Sequence, residues 1–307
     1  MSRSPGLSED TKYLFGCCGF LVALGVAGFG LSSFVRTCKG ADTSALPKTF
    51  EEASHNGSEQ SANGKVIGFG LEQLELATMP MSGSWKEQDL FVDDEQKWTG
   101  STCIVGRHGA YLIILTNRHC LGLDALGSAD DDGVPEILDY QLHVHFPGEI
   151  TRRVSQFALI KGGIDLAWLA VEAKGLGKYL ELGFPTEKLP ALRPGFEVVA
   201  VGSPIAIEFR GSHTFGRISA IRPMADELGR GFTFIQTDAA INHGNSGGPL
   251  FLKSNGRYFW IGVNTAKVDA ADNLGVAISR DAIIAQPHVE WFNADAAGAV
   301  RCFNEWK

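Results

Sequence analysis

The chain has 307 residues, 44% of them hydrophobic and 20% charged, with a formal net charge of −8. That balance fits a globular protein and argues against a disordered one, and acidic charge without a basic stripe argues against nucleic acid as a partner. Thirty-seven glycines and 12 prolines favour short strands joined by turns over a helix bundle.

Residues 1–12 read as a polar tail. From Tyr13 to Val35 the sequence "YLFGCCGFLVALGVAGFGLSSFV" runs for 23 residues without a charge, long enough for a single-pass transmembrane helix. A cleaved signal peptide is the alternative, although its apolar region is usually shorter. Arg3 and Lys12 precede the span while Arg36, Lys39 and Lys48 follow it, so charge leaves the orientation open. Residues 36–64 are polar and poor in large apolar groups, as in a flexible linker. The "NGS" at Asn56 is a glycosylation acceptor only in a eukaryotic secretory route.

A compact domain is expected over residues 65–288. Its apolar runs "AYLIILT", "DLAWLAV", "FEVVAVG", "FTFIQT" and "YFWIGVNT" have strand length and sit between Gly, Pro, Asn and Asp clusters. The domain is therefore all-β, with helical periodicity only near "RDAIIAQPHVEWF", and residues 289–307 follow as a C-terminal tail.

Chemistry concentrates in "NHGNSGGPLF", where Ser246 stands among Gly244, Gly247 and Gly248. A serine is a weak nucleophile unless a base lies within hydrogen-bond reach and a third group orients that base. His119 is the best base among the eight histidines, because it ends the apolar strand "AYLIILTNRHC" and so comes to the surface. His55 lies in the linker, His108 in a hairpin turn, His213 at a strand end, His243 in the serine's own turn, and His288 in a tail helix. His143 and His145 share one strand face but have no carboxylate or cysteine cluster for a metal. Asp165 is the candidate orienter: it sits between Ile164 and Leu166, and acidic residues are seldom buried without a partner. Asp130, Asp131 and Asp132 read as a solvated loop, and Asp238 as a structural rival. Neither a cofactor nor a metal is called for.

"TNRHC", "DLAWLAV", "LRPGFEVVAVGSP" and "QTDAAINHGNSGGPLF…IGVNTA…LGVAIS" resemble the catalytic domain of the HtrA (Deg) family of trypsin-like serine proteases, over about Gly100 to Ser279. The resemblance implies two antiparallel six-stranded β-barrels with the cleft between them, here with an N-terminal transmembrane helix and a short C-terminal helix. It implies His119 as general base, Asp165 as orienter and Ser246 as nucleophile, the chain order His, Asp, Ser being that of chymotrypsin in the standard account of the triad. The oxyanion hole falls on the backbone N–H groups of Gly244, Asn245 and Ser246, with Gly244 and Ser246 the main donors. Polypeptides are the implied substrates, and HtrA relatives are often homotrimers. By position, the pocket for the residue before the scissile bond takes Ala240, Ile241, Asn264, Thr265 and Ala266. None of these is acidic, so small to medium apolar residues are expected there, with Asp238 the one carboxylate near enough to matter.

Several departures qualify the resemblance. The family usually carries PDZ domains, for which about 28 residues after the last matching segment leave no room. The His119–Asp165 interval holds the acidic insertion "LGLDALGSADDDGVPEILD", and Asn245 replaces the aspartate that pairs with a new N-terminus in digestive enzymes, so no zymogen cleavage is expected. HtrA domains often lack a pair such as Cys103 and Cys120, whereas digestive trypsin-like enzymes carry a disulfide in this neighbourhood; with the catalytic domain expected to be extracytoplasmic, the bond is expected too, two buried thiols being the alternative. The competing readings are a non-catalytic chaperone or binding module on the same fold, and an esterase, whose "GxSxG" elbow belongs to an α/β sheet.

Overall fold

The computed structural model describes residues 46–49, 52, 68–88, 93–123, 137–160, 164–183, 189, 191–204, 207–225, 229–267, 274–286 and 289–305. The apolar stretch 13–35, Asn56, His55, His288 and Asp130 to Asp132 lie outside them. Among the described residues, no helix is long and apolar enough to cross a membrane.

The N-terminal half begins with a 3-10 helix, Leu71–Ala77, and then β1 (Thr78–Gln88), β2 (Asp93–His108) and β3 (Tyr111–Thr116). Gly109, with φ of 57°, makes the tight turn after His108. β4 (Gln141–Phe146), β5 (Ile150–Arg153), β6 (Gln156–Ile160) and β7 (Ala167–Glu172) follow. The C-terminal half contains β8 (Glu197–Gly202), β9 (Ser212–Ala225), β10 (Gly231–Thr237), β11 (Pro249–Ser254), β12 (Arg257–Lys267) and β13 (Gly275–Ser279). Helix α1 (Arg280–Ile284), β14 (Val289–Asn293) and helix α2 (Ala296–Glu305) end the described chain.

β8 to β13 close into a six-stranded barrel, in the order β10-β13-β12-β11-β8-β9. The other half is an eight-stranded sheet, β14-β6-β7-β3-β2-β1-β4-β5, so the expectation of two six-stranded barrels holds for one half only. Among the described residues, no strand ladder closes this sheet. Instead, the bend after β5 joins its two sides: Val154 N–H donates to Leu142 O at 2.8 Å, and Ser155 N–H to Ala170 O at 3.0 Å.

Side-chain alternation explains the layers. β4 buries Leu142, Val144 and Phe146 and turns Gln141, His143 and His145 outward, the period of a strand with one wet face. β3 is buried almost throughout, as expected between two neighbours and two covered faces. One apolar cluster fills the sheet around Phe157, Tyr140 and Leu169, and another fills the barrel around Ile235, Leu250 and Ala277. A third, with Trp168, Val199, Phe251 and Trp291, joins the two halves.

Both domain boundaries need correction. "VEWF", from Val289 to Phe292, is not helical. It belongs to β14, which pairs with β6 and stacks Phe292 on Phe157 at 5.6 Å. Burial on both faces overrides the helical periodicity here, because Val289 and Trp291 enter the cluster that joins the halves and Phe292 the cluster within the sheet. α1 is correspondingly short, started by Ser279, whose hydroxyl accepts the Ala282 N–H at 3.2 Å. At the other end, residues 46–49 of the expected free linker are docked. Leu46 is buried, Trp291 Nε1–H donates to Pro47 O at 2.8 Å, and Val289 N–H donates to Lys48 O at 3.2 Å.

Candidate active site

The cleft between the halves brings His119, Asp165 and Ser246 together from three elements. β3 ends at Thr116, and Asn117 anchors the exit by donating its side-chain amide to Asp165 O at 2.8 Å. His119 opens a 3-10 turn, His119–Leu121, that Gly122 ends with φ of 69°. Asp165 stands just before β7. Its Oδ1 accepts the His119 N–H at 3.0 Å, and its Oδ2 lies 2.8 Å from His119 Nδ1. The Thr265 hydroxyl, from β12, also donates to Oδ2. A carboxylate at this separation holds the proton on Nδ1, which leaves Nε2 as the acceptor.

Burial alone would disfavour the His119 imidazolium. Against it act the charge of Cys120 and the hydrogen bond and charge of Asp165, which together push the imidazole up to about 11. The hydrogen bond and charge of Asp165 act upward on their own, since both favour the imidazolium.

Ser246 sits on a turn whose glycines have separate causes. Gly244 and Gly247 have φ of 91° and 89°, in the left-handed region that side chains resist. A Cβ on Gly247 would also lie 2.0 Å from Ser101 O. The Ser246 hydroxyl donates to Thr265 O at 3.1 Å, and among the described residues it makes no hydrogen bond to His119. Catalysis requires that hydroxyl to leave Thr265 O for Nε2, and such bonds often tighten only when substrate binds.

The amides of the turn sort themselves. Asn245 N–H donates to Asn242 O at 3.0 Å, so it is not an open oxyanion donor, in contrast to the sequence expectation. Gly247 N–H and Gly248 N–H are engaged by Asn264 O and Asn245 O, at 2.9 and 3.0 Å. Gly244 N–H and Ser246 N–H have no acceptor among the described residues.

Three of the five expected pocket residues turn elsewhere. Ile241 packs inside the barrel, against the position of Gly275. Asn264 is fully buried, with its amide on Pro249 O at 3.2 Å. Thr265 is committed to Asp165. The alternation of β12 and the packing of the barrel set these directions. Ala240 is exposed, and the Ala266 side chain lies outside the described residues. Asp238 accepts the Arg217 N–H and is thereby tied to β9.

The expected disulfide is also absent. Cys103 and Cys120 are separate buried thiols. Cys103 Sγ donates to Gly247 O at 3.1 Å, its thiol kept neutral by burial, while Cys120 Sγ reaches Ser246 O at 3.7 Å. Side chains alternate along β2, so Cys103 belongs to the cluster joining the halves and Cys120 to the cluster within the sheet. The position that faces Cys120 is Gly100. A Cβ there would lie 3.0 Å from Cys120 Sγ and 3.5 Å from its Cβ.

Of the remaining histidines, His145 uses both ring nitrogens, on Ser82 Oγ at 2.8 Å and Thr151 Oγ1 at 3.1 Å. No group of three or more metal-binding side chains occurs among the described residues. His213 stacks on Phe215 and His243 is exposed.

Residues 100–263 match the family described as trypsin-like peptidase domain, which is just over half of the chain. Serine protease HTRA1 of Xenopus laevis is 41% identical over 191 residues, covering 60% of this chain and 34% of that protein. Serine protease HTRA2, mitochondrial, of Drosophila pseudoobscura pseudoobscura is 43% identical over 117 residues, covering 37% and 25%. Serine protease Do-like HtrB of Bacillus subtilis is 38% identical over 120 residues, again covering 37% and 25%. The chain thus spans about a third or less of the length of these relatives. A solved structure titled HtrA-type protease AlgW with tripeptide aligns at 25% identity and a TM-score of 0.44, covering 70% of this chain and 60% of that one.

Proposed function

Because the chain belongs to the trypsin-like peptidase domain family, with HtrA and Do-like serine proteases among its relatives, we propose that it is a serine endopeptidase. His119 Nε2 takes the Ser246 proton as Oγ attacks the scissile carbonyl carbon. The Gly244 and Ser246 N–H groups bind the oxyanion that forms, worth roughly 3 kcal/mol per donor. The intermediate collapses, the amine leaves with the proton from His119, and an acyl group remains on Ser246. Water then repeats the sequence with the same base and releases the acid.

The observation that carries this reading is the threefold donation to Asp165, from His119 N–H, His119 Nδ1 and Thr265 Oγ1. An orienting carboxylate has that environment, and a structural aspartate in a turn does not require an imidazole. Substrates are unfolded or damaged polypeptides with small to medium apolar residues before the scissile bond. Exposed Ala240 supports that preference, together with an Asp238 occupied by β9. Residues 13–35 anchor the protein as a single span, a reading supported by their 23 consecutive uncharged residues.

Labelling by a fluorophosphonate tests the activity directly. Wild type should label on Ser246 and the Ser246→Ala variant should not, whereas equal labelling of both would end the serine-protease reading. Resistance to alkaline extraction from membranes, lost on deletion of residues 13–35, tests the anchor.

A further inference from the structure

Ser101 lies on β2, in the opposite half from the nucleophile, and is completely buried. A buried hydroxyl costs stability unless its donor and acceptor are both used. Here both are. Ser101 Oγ–H donates to Gly244 O at 2.5 Å and accepts the Ser203 N–H, from the end of β8, at 2.8 Å. Its own N–H donates to Ser246 O at 2.8 Å, and its carbonyl accepts the Thr116 hydroxyl at 2.9 Å.

The two turn carbonyls held by this residue belong to particular peptide planes. Gly244 O lies in the plane that ends at Asn245 N, which is pinned at its other end by Asn242 O. Ser246 O lies in the plane that ends at Gly247 N, pinned at its other end by Asn264 O. Fixing these planes constrains the backbone on both sides of Ser246 N–H and on the C-terminal side of Gly244 N–H. Those amides have no acceptor among the described residues, unlike those of Asn245, Gly247 and Gly248. The absent side chain of Gly247 is what lets β2 come this close.

We propose that Ser101 is a positioning residue for the oxyanion hole: its hydroxyl and amide, acting from the sheet, set the directions of the Gly244 and Ser246 N–H groups. It touches no reacting atom. The proposal rests on the serine-protease reading above and assigns a sheet residue to transition-state binding in the barrel. A donor displaced by a few tenths of an ångström still permits substrate binding but stabilises the oxyanion less, so the effect falls on kcat and leaves KM.

The test compares full-length wild type, Ser101→Ala and Ser101→Cys, each assayed well below its own melting temperature. The readouts are hydrolysis of a fluorogenic peptide with valine before the scissile bond, and the fluorophosphonate labelling rate. Ser101→Ala should lose about tenfold to a hundredfold in kcat, with KM within twofold and an unchanged pH profile. Ser101→Cys, which keeps a weaker donor of similar shape, should recover part of the loss. A folded Ser101→Ala with kcat within twofold of wild type overturns the role, as does an equal loss in KM. If only Ser101→Ala fails to fold, Ser101→Cys decides by the same criteria, and if neither folds, Ser101 is a folding residue and the proposal fails. Wild type that neither labels nor hydrolyses sinks the serine-protease reading itself, a result distinct from an active wild type indifferent to Ser101.

Discussion

The sheet and the barrel contribute different kinds of group to one cleft. From the sheet come side chains set by its strands: His119 after the end of β3, Asp165 just before β7 and Ser101 within β2. The barrel contributes mostly backbone, in the form of the Gly244 and Ser246 amides and the Thr265 carbonyl, with Ser246 carried among them. A proton relay needs side chains held at fixed separations, which strands packed on both faces provide. An anion site needs consecutive N–H groups on one side of a turn, which requires residues free to adopt positive φ. The division of labour follows from those two requirements. The halves meet through hydrogen bonds at the site itself, from Thr265 to Asp165, Ser101 to the turn, and Cys103 and Cys120 to its carbonyls.

The largest expected effect removes one contribution from each half. Ser246→Ala and His119→Ala should each lower kcat by on the order of 10⁴-fold or more, and the double variant should be little worse than either, because the pair works as a unit. Losses that multiply in the double variant would show that the sheet and the barrel act independently.

An intermediate effect should follow Gly247→Ala, where strain from φ of 89° combines with a Cβ placed 2.0 Å from Ser101 O. The φ alone costs about 1–3 kcal/mol, and relieving the clash must part the halves. Gly109→Ala is the control, since φ is 57° there with nothing within 4 Å of the added Cβ. Melting temperature should fall in both, but kcat only in Gly247→Ala. Equal kcat in the two variants would mean that the close approach of β2 has no bearing on catalysis.

The smallest effect concerns the bond from Thr265 to Asp165. Thr265→Val should lower kcat by about tenfold, the value of one hydrogen bond to a charged group. It should also move the acid limb of kcat/KM upward, because a carboxylate with one donor fewer holds the imidazole proton more strongly. In the wild type His119 is already raised above its ordinary 6.5. Activity needs the neutral imidazole, so it falls as pH drops through the raised value, and the limb should centre above pH 6.5. Stability carries the opposite sign: the paired imidazolium contributes fully below pH 6.5 and is lost as pH rises through the folded value. A limb at or below 6.5, or one unmoved by Thr265→Val, would remove Asp165 from control of the base.

Much of this site was legible in the sequence because its members break local patterns. Asp165 is a charge inside an apolar run, His119 ends one, and Ser246 sits among glycines that no ordinary turn demands. Ser101 obeys the same rule, as a polar residue opening the buried run "STCIV", but a hydroxyl is a weaker anomaly than a carboxylate. The Cys103–Cys120 expectation went wrong on parity. Cys103 is three positions along β2 from Gly100, and an odd step along a strand reverses the face. The docking of Pro47 and Lys48 on β14 and the open sheet were out of reach for another reason. Each depends on pairing between segments distant in sequence, which local pattern does not encode.

Gly100 and Cys120 carry a consequence on the scale of mutation. A pyrimidine-ending glycine codon becomes a cysteine codon by a change in its first base, so wherever Gly100 is encoded that way a covalent cross-link between β2 and the His119 turn lies a single point mutation away. The separation of 3.5 Å between the added Cβ and that of Cys120 falls within the range a disulfide spans. Under reducing conditions the same substitution crowds a second sulfur against the first. Whether this variant is harmful or stabilising is therefore set by the redox state of its surroundings, and selection at position 100 would report which compartment a lineage of this protein has occupied.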